Sequence, residues 1–162
     1  MKPTARFHLS KWTAATILGT ALAVTAAAQH QVPLKGSLQG DDTDNFVSEN
    51  IVIVTTTGTG HSTLLGNFSF ALENTVTIDQ GTTEGTVEFV AANGDTLFGT
   101  VVGSGSITSP GTIQITETVT ITGGTGRFEG AQGSITINRV ASAITFTTEG
   151  SFDGFITAPG HH

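Results

Sequence analysis

The sequence predicts an all-β fold, with about eight antiparallel strands closed into a barrel behind an N-terminal leader. Three observations carry this reading. Apolar and polar residues alternate with period two over most of the chain, and no helical period is sustained. Gly, Asn, Asp and Pro interrupt the alternation at short intervals, as expected for antiparallel neighbours joined by tight turns. Closing such a meander on itself removes both exposed sheet edges.

The leader is read first. Lys2, Arg6 and Lys11 precede an apolar stretch over 13–24 that is too short to cross a bilayer comfortably. Ala26-Ala27-Ala28 then gives a small-residue cleavage pattern. Residues 1–28 are therefore expected to be a signal peptide, 29–157 a single barrel domain, and 158–162 a short tail. The expected location is periplasmic or extracellular, with no stable membrane insertion after cleavage. The chain has no Cys, so packing and sheet pairing must hold the fold without disulfides. Beyond the leader, Lys35, Arg127 and Arg139 face thirteen Asp and Glu. That balance excludes nucleic acid as a partner, because phosphates require clustered cations. It also disfavours anionic membrane surfaces.

Candidate strands cover 32–39 and 50–57, separated by the acidic run Asp41-Asp42-Thr43-Asp44-Asn45, which reads as a solvated loop. Clustered carboxylates can hold Ca²⁺, but this run lacks the Gly and the terminal Glu of an EF-hand loop. Gly58-Thr59-Gly60 reads as the next turn, before a long strand over 62–78 whose inward row is Leu64, Phe68, Phe70, Leu72, Val76 and Ile78. A strand over 83–92 meets one over 96–107 at Asn93-Gly94, a signature of the type I′ hairpin. Ser109-Pro110-Gly111 leads into 112–122, where Ile113, Ile115, Val119 and Ile121 oppose Thr112, Thr116, Thr118, Thr120 and Thr122. Outward Thr on an exposed strand explains that polar row. Strands over 134–141 and 143–156 complete the set, with Ile144, Phe146, Phe152 and Ile156 sharing one parity.

One segment carries a family resemblance. The stretch Val119-Thr120-Ile121-Thr122-Gly123-Gly124-Thr125-Gly126-Arg127-Phe128-Glu129-Gly130 resembles the glycine-rich signature of the allene oxide cyclase and dirigent barrel superfamily. Gly133-Ser134-Ile135-Thr136-Ile137 is similar to the strand that follows it there, and Gly150-Ser151-Phe152-Asp153-Gly154 to the C-terminal strand. The resemblance implies a calycin-like barrel of eight strands with a lumen for a small apolar molecule, often as a homotrimer, and a structural role for the motif. The superfamily's pocket residues find no counterpart in this chain, so no activity is carried over. In physical terms Gly123, Gly124, Gly126, Gly130 and Gly133 permit a tight corner, and Phe128 can tuck back as a plug. The run lacks the third Gly of the dinucleotide fingerprint, and a strand follows where a helix is required.

Three residues are candidates for chemistry. Glu117 shares parity with Ile115 and Val119, and Arg139 with Ile135 and Ile137, so both should point inward. A corner near Arg127 sets 116–117 opposite 138–139, which would bring the two charges together inside the barrel. His61, the one His within the expected core region, reads as a rim residue able to act as base or ligand contact. No cofactor and no metal site is expected. Phe68, Phe70, Phe89, Phe146 and Phe152 are the expected ligand-binding wall or plug of the lumen. The preferred function is binding of a small apolar molecule. The alternatives are a cofactor-independent cyclase- or dirigent-like enzyme using Glu117, Arg139 or His61, and a filled structural barrel of the envelope.

Overall fold

In a computed structural model, which describes residues 30–157, eight strands close into one barrel in sequence order. They are β1 (Gln31–Phe46), β2 (Ile51–Ser62), β3 (Gly66–Thr77), β4 (Thr82–Ala91), β5 (Thr96–Ser109), β6 (Thr112–Gly124), β7 (Gln132–Ser142) and β8 (Thr147–Thr157). All neighbours are antiparallel, and β8 pairs with β1 from Gln31↔Thr157 to Asp41↔Thr147. The expected signal peptide and short tail lie outside the described residues.

Several boundaries differ from the sequence reading, each for a physical reason. The acidic run is not a loop. β1 continues through it to Phe46, because Asp41, Asp42, Thr43 and Asp44 pair with Thr57, Thr56, Thr55 and Val54 of β2. Gly58-Thr59-Gly60 is not a turn either, since all three residues pair with both β1 and β3. The turn instead falls at 63–65, where the Leu65 amide donates to Ser62 Oγ at 2.9 Å. The last strand begins at Thr147, which leaves Ile144 and Phe146 in the preceding hairpin. The Asn93-Gly94 hairpin is present but not type I′, as only Gly94 has positive φ (88°). Gly94 N donates to Ala91 O and Ala91 N to Asp95 O, the pattern of a three-residue loop with a glycine bulge.

Alternation divides every strand between lumen and solvent, and the lumen has two halves. The half nearest the chain ends is filled. Phe68, Phe70, Phe89 and Phe152 interlock there, with Phe89 ring centroids 5.6 Å from Phe68 and 5.9 Å from Phe152. Leu34, Leu97, Val119, Ile121, Ile135 and Ile156 pack around them.

The glycine-rich corner closes this end. Gly126–Phe128 forms a single 3₁₀ turn, and Gly126, Gly130 and Gly133 all take positive φ. Phe128 is thereby turned back into the core, where it is 4% exposed. Arg127 stays outside, over the Phe128 ring, and pairs with Asp95 at 3.4 Å. The strand ends are tied across the corner by Thr96 N donating to Thr125 Oγ1 at 3.0 Å. Truncating the plug, Phe128→Ala, should cost about 3–5 kcal/mol of stability, read as a lowered urea midpoint. A loss below about 1 kcal/mol would show that the corner closes the barrel without it.

Candidate functional site

Midway along the barrel the inward rows change from apolar to polar. Glu117 on β6 and Arg139 on β7 both point into the lumen, with side chains 0% and 5% exposed. Glu117 pairs across the strands with Ile137 and Arg139 with Ile115, so the charges meet diagonally on one face. The contact is bidentate, with Arg139 Nε donating to Glu117 Oε2 at 2.9 Å and Nη2 to Oε1 at 3.0 Å. Asn74 on β3 reaches across the lumen, and its Nδ2 donates to Glu117 Oε1 at 2.8 Å. Arg139 Nη1 donates to Thr148 Oγ1 at 3.3 Å and lies 3.9 Å from Asp42 Oδ1. Thr56 Oγ1 donates to the same Asp42 oxygen.

The layer has room for these side chains because small residues face them. Gly103 pairs directly with Glu117, and a Cβ there would fall 2.7 Å from the Glu117 Cγ. Gly85 is placed in the same way against Asn74.

Above this layer the lumen opens into a cavity of about 310 Å³. Asp42, Thr83, Glu117 and Arg139 form its floor, and Val52, Val54, Val76, Ile113, Ile115 and Ala141 its wall. Phe46, Ile78, Ile107 and Phe146 surround the mouth, and each is substantially exposed. Asp44 also faces the cavity, and its carboxyl is pushed above the usual 3.8 by burial and, secondarily, by the Asp42 charge. Among the described residues two buried polar side-chain atoms have no hydrogen-bond partner, Asn74 Oδ1 and Thr83 Oγ1. Among the described residues no group of His, Asp and Glu is placed to hold a metal ion.

The sequence-derived candidates separate in space. Glu117 and Arg139 come together. His61 does not join them, because it lies within β2 on the outward face, opposite Ser37 and Asn67, and its Nδ1 is 3.0 Å from Asn67 Oδ1. It borders a larger groove of about 800 Å³ on the outer wall, lined mainly by polar outward residues such as Gln39, Thr116, Asn138 and Glu149. Phe68, Phe70, Phe89 and Phe152 belong to the filled half rather than to the cavity wall, whereas Phe146 stands at the cavity mouth. In the sequence Asp42 reads as part of a solvated acidic loop, and Thr56, Asn74, Thr83 and Thr148 are not singled out. Parity held the signal, since Asn74 continues the row of Phe70 and Leu72, and Asp42 that of Leu34 and Leu38.

Fold and site together define a closed eight-stranded antiparallel barrel, plugged at one end, with an apolar cavity over a buried ionic floor at the other. The chain matches no protein-family model, no curated protein and no solved structure.

Removing one member of the buried pair should be costly because the other is left charged in a dry layer. Arg139→Met should lose about 3–5 kcal/mol in urea denaturation, and Glu117→Leu/Arg139→Met clearly less. A double-mutant loss equal to the sum of the Glu117→Leu and Arg139→Met losses would mean that the charges are not coupled.

Asp44 gives a pH signature. Its folded pKa is raised, so the folded chain holds this proton more tightly than the unfolded chain does. The resulting stability is fully present below 3.8 and is lost as pH rises through the folded pKa. Asp44→Asn should flatten the melting-temperature profile over that window and be no less stable than the parent at pH 7. A steeper fall for the variant would contradict the assignment.

Proposed function

We propose that this protein is an exported, non-catalytic carrier that binds a small, largely apolar molecule in the open half of its barrel. The observation that carries this reading is the cavity of about 310 Å³, walled by Val, Ile and Ala and open through an exposed apolar rim. Its volume lies at the low end of the range for ligand sites, and apolar walls with a few convergent polar groups are the usual composition of such sites. The leader residues Lys2, Arg6, Lys11 and Ala26-Ala27-Ala28 support export. The glycine corner supports kinship with the allene oxide cyclase and dirigent barrels, and a homotrimer is part of that proposal.

The carrier reading is favoured over an enzyme that uses Glu117, Arg139 or His61 by the state of those groups. Glu117 accepts three hydrogen bonds, two on Oε1 from Arg139 and Asn74 and one on Oε2 from Arg139, and His61 faces away from the cavity. A general base needs a free lone pair within reach of the proton it removes, and Glu117 keeps one of its roughly four acceptor sites, on the oxygen held by Arg139 Nε.

The test is calorimetry of the mature protein with 1-octanol, paired with native mass spectrometry of material purified from its own host. Octanol should bind with one-to-one stoichiometry, and Ala141→Trp, which places an indole in the cavity, should abolish binding while leaving the circular dichroism spectrum unchanged. Octanol binding that survives Ala141→Trp would place the ligand elsewhere, and a parent that binds no eight-carbon amphiphile in the lumen would defeat the carrier reading.

A further inference from the structure

We infer that the ligand of this cavity is a cationic amphiphile, an apolar body bearing a protonated amine that docks at the Asp42 side of the floor. This rests on the carrier reading and specifies the ligand class it would take. The cavity carries an imbalance of charge. The ionisable side chains facing the cavity are Asp42, Asp44, Glu117 and Arg139, three acids to one base. Arg139 neutralises only one of the three, and its Nε and Nη2 are both held by Glu117. The remaining negative charge sits on Asp42, whose side chain is only 8% exposed, and on Asp44 at the mouth.

Hydrogen-bond accounting points the same way. Asp42 uses Oδ1 toward Thr56 and Arg139, and among the described residues Oδ2 has no hydrogen bond. Thr83, 8% exposed on the cavity floor, has an Oγ1 with no hydrogen-bond partner among the described residues. A carboxylate oxygen is an acceptor only, and a hydroxyl can accept as well as donate. The vacant capacity of the floor is therefore mainly acceptor capacity, and a primary ammonium supplies three donors and a positive charge. Buried groups left unmet are costly, so a ligand that meets them gains affinity from the same term.

The opposite polarity fits poorly. A fatty acid would add a further carboxylate to this set, and the guanidinium that could receive it is already engaged by Glu117, Thr148 and Asp42. A neutral alcohol could meet Thr83 or Asp42 but would leave the charge imbalance untouched. The repulsion from Asp42 that, after burial, helps to raise the Asp44 pKa is the kind of strain that a bound cation relieves.

The experiment compares octylammonium, 1-octanol and octanoate, three probes with one chain length and different heads. Each is titrated calorimetrically into the mature protein at pH 7 below its micellar concentration. Octylammonium should bind at least about tenfold more tightly than octanol, and octanoate most weakly, with Ala141→Trp abolishing binding of the amine. Within each variant the ratio of amine to octanol affinity should fall severalfold in Asp42→Asn, and also in Asp44→Asn, whose exposed position keeps the test open should Asp42→Asn fail to fold. If octanol or octanoate binds as tightly as the amine, or the ratio is unchanged in Asp44→Asn and in any folded Asp42→Asn, the cationic assignment falls. With octanol binding still blocked by Ala141→Trp, the carrier reading would stand without it. If none of the three probes binds in the lumen, both fall together.

Discussion

Eight tilted strands enclose an interior just wide enough for side chains to fill, so each layer of this barrel is a decision about volume. Small cross-strand neighbours make room for several of the large inward residues. Glu117 sits against Gly103 and Asn74 against Gly85, and in the filled half Phe68 is paired with Gly60. Phe89, between Phe70 and Leu97, shows that large neighbours are also housed where the rings interlock. Between the ionic layer and the mouth the wall is mainly Val, Ile and Ala, with the rings of Phe46 and Phe146 standing at the rim, and the cavity follows from that change. Plug, ionic floor and cavity are three solutions to one geometric limit.

The middle layer is the solution that packing does not explain. An apolar pair of similar volume would fill the space and, in general, give a fold at least as stable as a buried ion pair does. Here the layer carries more acid than base and leaves Asn74 Oδ1 and Thr83 Oγ1 unmet. Each such group has a desolvation cost that a purely structural core would be free to avoid. The filled half below it is apolar apart from Ser62, whose hydroxyl accepts from Leu65 N, so the chain has no general difficulty in building such a layer. The polar residues are concentrated where the lumen opens, the side from which the proposed ligand would enter.

Much of this was legible in the residues, and the limits have physical causes. Period-two alternation showed the strands and the inward direction of Glu117 and Arg139, because parity is indifferent to where a strand ends. The corner at 123–133 set their register to within a residue, enough to bring them together since diagonal neighbours also touch. Asp42 was hidden because an acidic run resembles a loop when read alone, and its strand partner, Thr56, is distant in sequence. Asn74 was hidden by type, as an Asn in an apolar row looks like an interruption. His61 was misplaced by two flanking features, Gly58 and Gly60, that serve close strand packing rather than a turn. The aromatic residues were located in the lumen, but nothing in their pattern could say which half would be filled.

The mouth shows how floor and rim are connected. Phe146 is the non-glycine residue with positive φ (56°) among the described residues, a conformation that costs a bulky side chain on the order of 1–3 kcal/mol. Its backbone explains how that is sustained. Phe146 N donates to Ser142 O, closing the hairpin between β7 and β8, and Phe146 O accepts from Asp42 N at 2.8 Å. Without the left-handed turn at this position that carbonyl would be directed elsewhere, and β1 would lose its last bond to the β8 side. Asp42 thus meets the rim through its amide and the ionic floor through its carboxylate, 3.9 Å from Arg139. The strained aromatic at the entrance and the excess charge at the base are held by one residue. In the proposed carrier, a movement of the rim that admitted a ligand would act on the peptide carrying the carboxylate that the ligand would meet.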